Sequence, residues 1–233
     1  MLTVNFNKLH VIEGDTVLDA GCGFGRHSLE FLKRGAAVFS MDMDMDSILR
    51  TRFVLSELLK NQGKDKKGYI THIGDALNLP FKNETFDKII CSEVMEHVDD
   101  DNLACKELTR VLKTNGLIAI TVPTYFSEFI YDTLTDEYFS TPGGHVRKYI
   151  PKKLVNIMKN NGLEIYGVEF KHAFHTIWWM IRSVVGLHKE NHPFTRGYHK
   201  FLTLGLFSKF MRKVESFCNY FFPKSIVLYG WKK

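Results

Sequence analysis

Apolar residues in the first half of the chain fall into short runs that alternate with stretches of helical spacing. Thr16–Ala20 predicts a first strand, and Arg26–Lys33 its helix. Ala36–Met41 is a second apolar run ending at Asp42, and Asp46–Leu59 carries Ile48, Phe53, Leu55, Leu58 and Leu59 at helical intervals. Gly68–Ile73 predicts a third strand ending at Gly74-Asp75. Phe86–Cys91 predicts a fourth, announced by the polar turn Lys82-Asn83-Glu84-Thr85. Leu103–Leu112 sets Leu103, Leu108, Val111 and Leu112 on one side of a helix. The turn Thr114-Asn115-Gly116 then leads to a fifth strand, Leu117–Val122, closed by Pro123. Lys152–Asn160 reads as a helix stopped by Asn161-Gly162. Alternation of this kind predicts βαβ units and a parallel sheet.

The pattern changes after residue 162. Leu163–Phe170 and Ser225–Tyr229 read as two further strands, separated by an apolar, aromatic and basic region. The expected division is a core of residues 1–172 and 223–233 with a mostly helical insertion, 173–222. Seven basic residues (Arg182, Lys189, Arg196, Lys200, Lys209, Arg212, Lys213) face only two acids there, Glu190 and Glu215. That surplus equals the net charge of the whole chain, +5. Trp178 and Trp179 are adjacent, and Phe201, Phe207, Phe210, Phe217, Tyr220, Phe221 and Phe222 crowd the second half. The plain reading is a cap whose aromatics pack over an acceptor cleft. A sharper one is a basic amphipathic surface over Phe201–Phe222 that makes peripheral contact with a membrane or accepts a lipid-like substrate. Nucleic acid is the least favoured partner, because the charge is modest and no RNA-binding module is appended. His172, His175, Trp178 and Trp179 are the first candidates to line an acceptor pocket. The irregular spacing of the insertion's histidines, which include His188, His192 and His199, favours a polar pocket or plain surface over a second metal.

Composition adds bounds. At 233 residues the chain suits one large domain with a decorated core or a small cap. Cys22, Cys91, Cys105 and Cys218 form no C-x-x-C pair, so reduced core thiols are expected. Met1–Val17 lacks a basic region followed by an apolar run, and no stretch of 18 apolar residues exists. A cytoplasmic protein without a secretory signal or membrane span is the expectation.

In an open α/β sheet, ligands bind beyond the carboxyl ends of the strands, so the residues ending each strand are the candidates. The first strand runs into Asp19-Ala20-Gly21-Cys22-Gly23-Phe24-Gly25. Alternate glycines let backbone approach a ligand, and the helix that follows offers free N–H groups. The spacing is G-x-G-x-G rather than the dinucleotide G-x-G-x-x-G. A carboxylate just before the glycines would repel a pyrophosphate but suits a cationic α-amino group. Asp42 stands where a carboxylate accepts two ribose hydroxyls, and Met43 can pack on an adenine face. Asp75 can take the adenine amino group while the next backbone N–H, at Ala76, meets a ring nitrogen. Cys91-Ser92-Glu93 ends the fourth strand. Taken singly, each acid is as readily a helix cap.

Together and in order they resemble motif I, the post-I acid, motif II and motif III of the class I S-adenosylmethionine-dependent methyltransferases, over about residues 14–123. Gly74-Asp75-Ala76-Leu77-Asn78-Leu79-Pro80-Phe81 followed by Phe86-Asp87 is especially characteristic. The likeness is to the type 11 and ubiquinone-biosynthesis O-methyltransferase group. It implies a Rossmann-like, seven-stranded, mostly parallel sheet with an antiparallel last strand, here preceded by the helical insertion. S-adenosylmethionine would be held by Asp19, Gly21, Gly23, Asp42, Met43, Asp75, Ala76 and Ser92. The implied activity is methyl transfer to a small or lipid-linked acceptor, foremost at oxygen. The alternatives are C-methylation of a quinone-like ring and a non-catalytic S-adenosylmethionine-binding protein.

A second constellation is Glu93-Val94-Met95-Glu96-His97. On a helical turn Glu93, Glu96 and His97 share one face. With His145, from Pro142-Gly143-Gly144-His145, they can bind Mg²⁺ or Mn²⁺, as the resemblance to metal-using O-methyltransferases of the family implies. His97 or His145 acting without metal, as general base or positioning residue, stands equally open.

Overall fold

A computed structural model describes residues 2–61, 68–134, 144–186, 192–205 and 208–233. Pro142, Gly143, His188, Lys189, Glu190 and Phe207 lie outside the described residues. The chain divides into a sheet unit (residues 1–122, 152–168 and 227–233) and a helical unit (123–151 and 169–226).

The strands are β1 (Thr16–Ala20), β2 (Ala37–Asp42), β3 (Tyr69–Ile73), β4 (Phe86–Ser92), β5 (Leu112–Pro123), β6 (Leu163–Lys171) and β7 (Ser225–Lys232). They form one sheet in the order β3-β2-β1-β4-β5-β7-β6. The β3-to-β5 half is parallel, and β5-β7-β6 is antiparallel. Helices α1 (Arg26–Lys33), α2 (Met45–Asn61), α3 (Asp101–Val111) and α5 (Pro151–Asn160) accompany the sheet; α4 (Tyr125–Leu134), α6 (Ala173–Val185), α7 (Pro193–Gly205) and α8 (Lys209–Cys218) belong to the helical unit.

Burial explains the strand order. Central parallel strands are covered on both faces and so read as continuous apolar runs. Val17, Leu18 and Ala20 of β1 and Ile89, Ile90 and Cys91 of β4 are fully buried, whereas Ile70 and Ile73 of edge strand β3 are exposed. On one side Phe6, Phe31, Val38 and Leu55 share a core cluster, with Phe6 and Phe31 edge to face at 4.9 Å. Phe81 and Phe86 make a second edge contact, also at 4.9 Å, and Phe39 joins both.

Strand order reverses between β1 and β4, and the glycine turn leaves β1 at that point. Leu18 pairs with Phe39 on one side and Ile89 on the other. A ligand crevice is expected at such a switch point.

Two elements differ from the expectation. β5 begins at Leu112, directly from α3, not after a turn at 114–116. Phe86 pairs with Leu112 and Lys88 with Leu117, so the extra residues form a bulge, with Asn115 at φ 63°. Asn-Gly signals a positive φ, and a bulge satisfies it as well as a turn does. The segment after β5, where the apolar spacing gives no element, contains α4. Thr124 caps it, accepting from Ser127 N at 3.3 Å.

In the helical unit Tyr131 of α4 is fully buried, its ring 6.0 Å from that of Trp179 of α6. Tyr198 of α7 donates to the Phe174 carbonyl at 3.0 Å. Among the described residues no helix is long and apolar enough to cross a membrane.

Candidate cofactor site

The glycine turn is built by backbone that only glycine tolerates easily. Gly21 has φ 72°, and a Cβ there would fall 2.1 Å from Val94 Cγ2. At Gly23, φ 51°, a Cβ would meet nothing within 4 Å, so this position opens onto space a ligand can enter. The N–H groups of Gly21 and Cys22 both donate to the Met41 carbonyl, at 2.8 and 2.9 Å, tying the turn to the end of β2. Burial pushes the Cys22 thiol up to about 12, so it is no thiolate nucleophile at neutral pH.

Asp19 is fully buried. Its Oδ2 accepts from the Ser28 backbone N–H at 2.9 Å and the Ser28 hydroxyl at 2.6 Å, fastening the turn to α1. Its Oδ1 is buried with no hydrogen-bond partner. Burial raises the carboxyl to about 6, against the Ser28 bonds and the Arg26 charge, which lower it. A buried carboxylate oxygen without a donor is costly, and a cationic amino group would satisfy it.

Asp42 accepts from Gly23 N at 2.8 Å through Oδ2 and from Asp44 N at 3.0 Å through Oδ1. One backbone bond on each oxygen fixes the carboxylate plane and leaves lone pairs for two hydroxyls. Met43, 69 % exposed, offers an apolar face beside it. Asp75 caps its own turn, accepting from Leu77 N at 2.9 Å, and Ala76 is buried behind it. Ser92 lies within 2.9 Å of the Thr121 hydroxyl and accepts from an Arg26 guanidinium nitrogen at 3.4 Å. The turn, Asp19, Asp42, Asp75 and Ser92 thus all stand at the carboxyl ends of β1 to β4 in the sheet unit.

Arg26 is the residue that sequence reading missed. It opens α1 directly after the glycines, and it interacts electrostatically with Asp19. The methionine end of the cofactor carries an ammonium and a carboxylate, so a buried acid and a cation are a complementary pair. The signal was a basic residue at the first helical position, where an acid is the usual choice.

The segment after β4 is one turn, closed by His97 N donating to the Val94 carbonyl at 2.9 Å, not a helix. Glu96 is fully buried and His97 exposed, yet a carboxylate oxygen of Glu96 and a ring nitrogen of His97 lie within 4.8 Å of one another. Glu93 sits at φ 57°, an uncommon conformation for a non-glycine residue, of a kind that clusters at functional sites. Its Oε1 accepts from the Thr121 hydroxyl at 3.1 Å. His145 belongs to the helical unit, where its Nδ1 lies 2.5 Å from Glu128 Oε1. Glu128 is fully buried and was not anticipated. With Nδ1 engaged, an acid–base or ligand role falls to Nε2.

The helical unit also holds an open cavity of about 700 Å³ lined by Trp178, Arg182, Arg196, His199 and Lys200 among others. The Arg182 guanidinium lies over the Trp178 ring at 5.0 Å. Of the four residues expected to line an acceptor pocket, Trp178 lines this cavity, Trp179 packs on Tyr131, and His172 and His175 lie together elsewhere.

Comparison with known proteins agrees with this geometry. Residues 18–120 match the family model of a methyltransferase domain. The chain is 38% identical over 107 residues to the demethylmenaquinone methyltransferase of Thermobifida fusca, covering 46% of this chain and 43% of that protein. It is 28% identical over 155 residues to the ubiquinone biosynthesis O-methyltransferase of Pelagibacter ubique, 64% of this chain and 61% of that one. The chain therefore spans about half the length of the curated relatives it matches. An S-adenosylmethionine-dependent methyltransferase of Mesorhizobium loti shares the fold, with a TM-score of 0.61 at 14% identity over 97% of this chain and 95% of that one. The strand-end acids, the glycine turn and the matched segment 18–120 together make this part of the chain similar to the class I S-adenosylmethionine-dependent methyltransferases, whose cofactor is S-adenosylmethionine.

Proposed function

We propose that the protein transfers a methyl group from S-adenosylmethionine to a hydroxyl of a small or lipid-linked, quinone-type acceptor. The observation that carries the donor is the charge pair at the turn. Asp19, with an unsatisfied buried oxygen, and Arg26 match the ammonium and carboxylate of the methionine end. Asp42 takes the ribose hydroxyls, and Asp75 with the Ala76 N–H takes adenine, against Met43. Relatives named for ubiquinone and demethylmenaquinone support the acceptor class.

S-adenosylmethionine supplies an already activated methyl on a sulfonium. The protein has to exclude water, align the acceptor and take its proton. His145 is the base in this reading: Glu128 holds Nδ1, so Nε2 receives the hydroxyl proton. Acceptor choice falls to residues 124–149 and to the insertion helices.

A divalent ion, Mg²⁺ or Mn²⁺, on Glu93, Glu96, His97 and His145 is the second reading, favoured by the buried Glu96 carboxylate beside His97. It would lower the pKa of the acceptor hydroxyl. C-methylation of a quinone-like ring is the alternative outcome, and its product keeps a free hydroxyl.

The test is turnover with a prenylated catechol, with product mapping, in the presence of EDTA or added Mg²⁺. The expected result is a methyl ether formed equally under both conditions. Loss of turnover in EDTA replaces the metal-free base by the metal. A ring-methylated product moves the assignment to carbon. One tight site for S-adenosylhomocysteine with no turnover on any quinone-type ring overturns the acceptor class and leaves a binding protein.

A further inference from the structure

We propose that His172, His175 and Glu215 form a zinc-type transition-metal site joining the start of α6 to α8 within the helical unit. Sequence spacing argued against a second metal because the histidines are irregular. The fold supplies what spacing lacked: a carboxylate forty residues away.

One donor atom from each of the three residues lies within 4.8 Å of the others. His172, at φ 69°, ends the extended chain of β6 and caps α6. His175 follows three residues on, and the two rings stand 5.5 Å apart, edge to face at 63°. Glu215 reaches the cluster from α8, and both it and His172 are buried. The frame is tied: Ala173 N donates to Asn219 Oδ1 at 2.8 Å, and the Thr176 hydroxyl donates to the Phe222 carbonyl at 2.9 Å.

The second observation is Glu215 itself. Its carboxylate accepts the Phe174 backbone N–H, but Oε1 is buried with no hydrogen-bond partner. Lys171 gives Glu215 a nearby charge but no hydrogen bond to Oε1, and two imidazoles with one carboxylate are a recognised three-ligand set for zinc with a fourth position open. Nitrogen-rich donors select Zn²⁺ or Co²⁺ over the Mg²⁺ or Mn²⁺ that carboxylate-rich sets prefer. Its proposed role is to staple two helices of the helical unit, and it does not rest on the methyltransferase reading.

The experiment uses the full chain stripped of metal by EDTA and dialysis. Zn²⁺ titration is run on the Glu96→Gln/His145→Ala background, which removes two of the four residues of the other candidate set. The expected result is one equivalent bound. At a hundredfold excess over Kd the thermal midpoint rises by about 5 to 10 °C, and both effects vanish in His175→Ala and Glu215→Gln. Co²⁺ on the unmodified chain gives the intense visible absorption of a four-coordinate nitrogen and oxygen site, a readout that survives if a variant fails to fold. No zinc bound, or binding unchanged by both substitutions, overturns the proposal. That result would leave Lys171 as the charge that balances Glu215.

Discussion

The sheet unit and the helical unit carry their chemistry on different scaffolds. In the sheet unit each candidate cofactor residue ends a strand, and parallel pairing brings four strand ends to one edge whatever the loops do. In the helical unit the polar groups are spread over α4, α6, α7 and α8, and which of them meet depends on how helices cross. The consequence is an asymmetry of robustness. A strand-end acid keeps its place so long as the sheet forms, while a helical cluster needs its own ties, such as Ala173 to Asn219.

The largest effect expected is at Asp42. Replacement by alanine removes the acceptor for the Gly23 and Asp44 N–H groups and the proposed ribose contact. Hydrogen bonds to charged groups contribute roughly 1.5–3 kcal/mol each, so S-adenosylhomocysteine affinity should fall about a hundredfold. Isothermal titration measures it. A change of threefold or less would show that the sheet edge does not hold the cofactor in the way its strand ends suggest.

How much of this was legible in the sequence follows the same division. β1 and α1 have the boundaries the pattern gave, because a buried strand followed by glycines leaves little freedom. Asp19, Asp42 and Asp75 stand where strand-end logic put them. Asn115-Gly116 misled because a positive φ serves a bulge and a turn alike. Arg26 is marked in the sequence only by its charge at a helix start, since its partner, Ser92, is sixty-six residues on. Glu128 lies in a stretch where the apolar spacing gives no element. His172, His175 and Glu215 could not be joined from sequence, since no local period links β6 to α8. Contacts that depend on helix crossing leave no trace in spacing.

The next effect is on pH dependence and sharpens the role of Asp19. Burial raises its carboxyl to about 6, so below that pH the side chain is neutral and offers an ammonium no charge. Bound cofactor favours the ionised form, so binding near pH 6 releases a proton. Affinity should therefore be flat above pH 7 and fall by up to about tenfold per unit below pH 6. Asp19→Asn should bind more weakly at neutral pH and lose the slope. Titration in buffers of different ionisation enthalpy reads the released proton directly. An identical slope in the asparagine variant would assign the titration elsewhere and remove Asp19 from the amino-group contact.

The smallest effect on the folded state, and the sharpest contrast with the sheet unit, lies on α8 and the turn after it. Phe210 is 71 % exposed, Phe217 66 % and Tyr220 79 %, next to Lys209, Arg212 and Lys213. Contiguous exposed aromatics are unusual on a soluble surface and mark a contact site, and the neighbouring cations suit anionic headgroups. The double substitution Phe210→Ser/Phe217→Ser should leave stability within about 0.5 kcal/mol, because both rings are largely exposed and Phe217 meets Phe221 on the same surface, and should leave S-adenosylhomocysteine binding unchanged. It should abolish the co-sedimentation with phosphatidylserine vesicles that is expected of the parent chain at low salt and should weaken as salt screens its lysines and arginine. A parent chain that stays in the supernatant at low salt removes the membrane contact. A double variant that instead loses several degrees of thermal midpoint shows the rings to be packing elements of the helical unit. In that case α8 resembles the sheet unit after all, its aromatics holding the fold rather than meeting a partner.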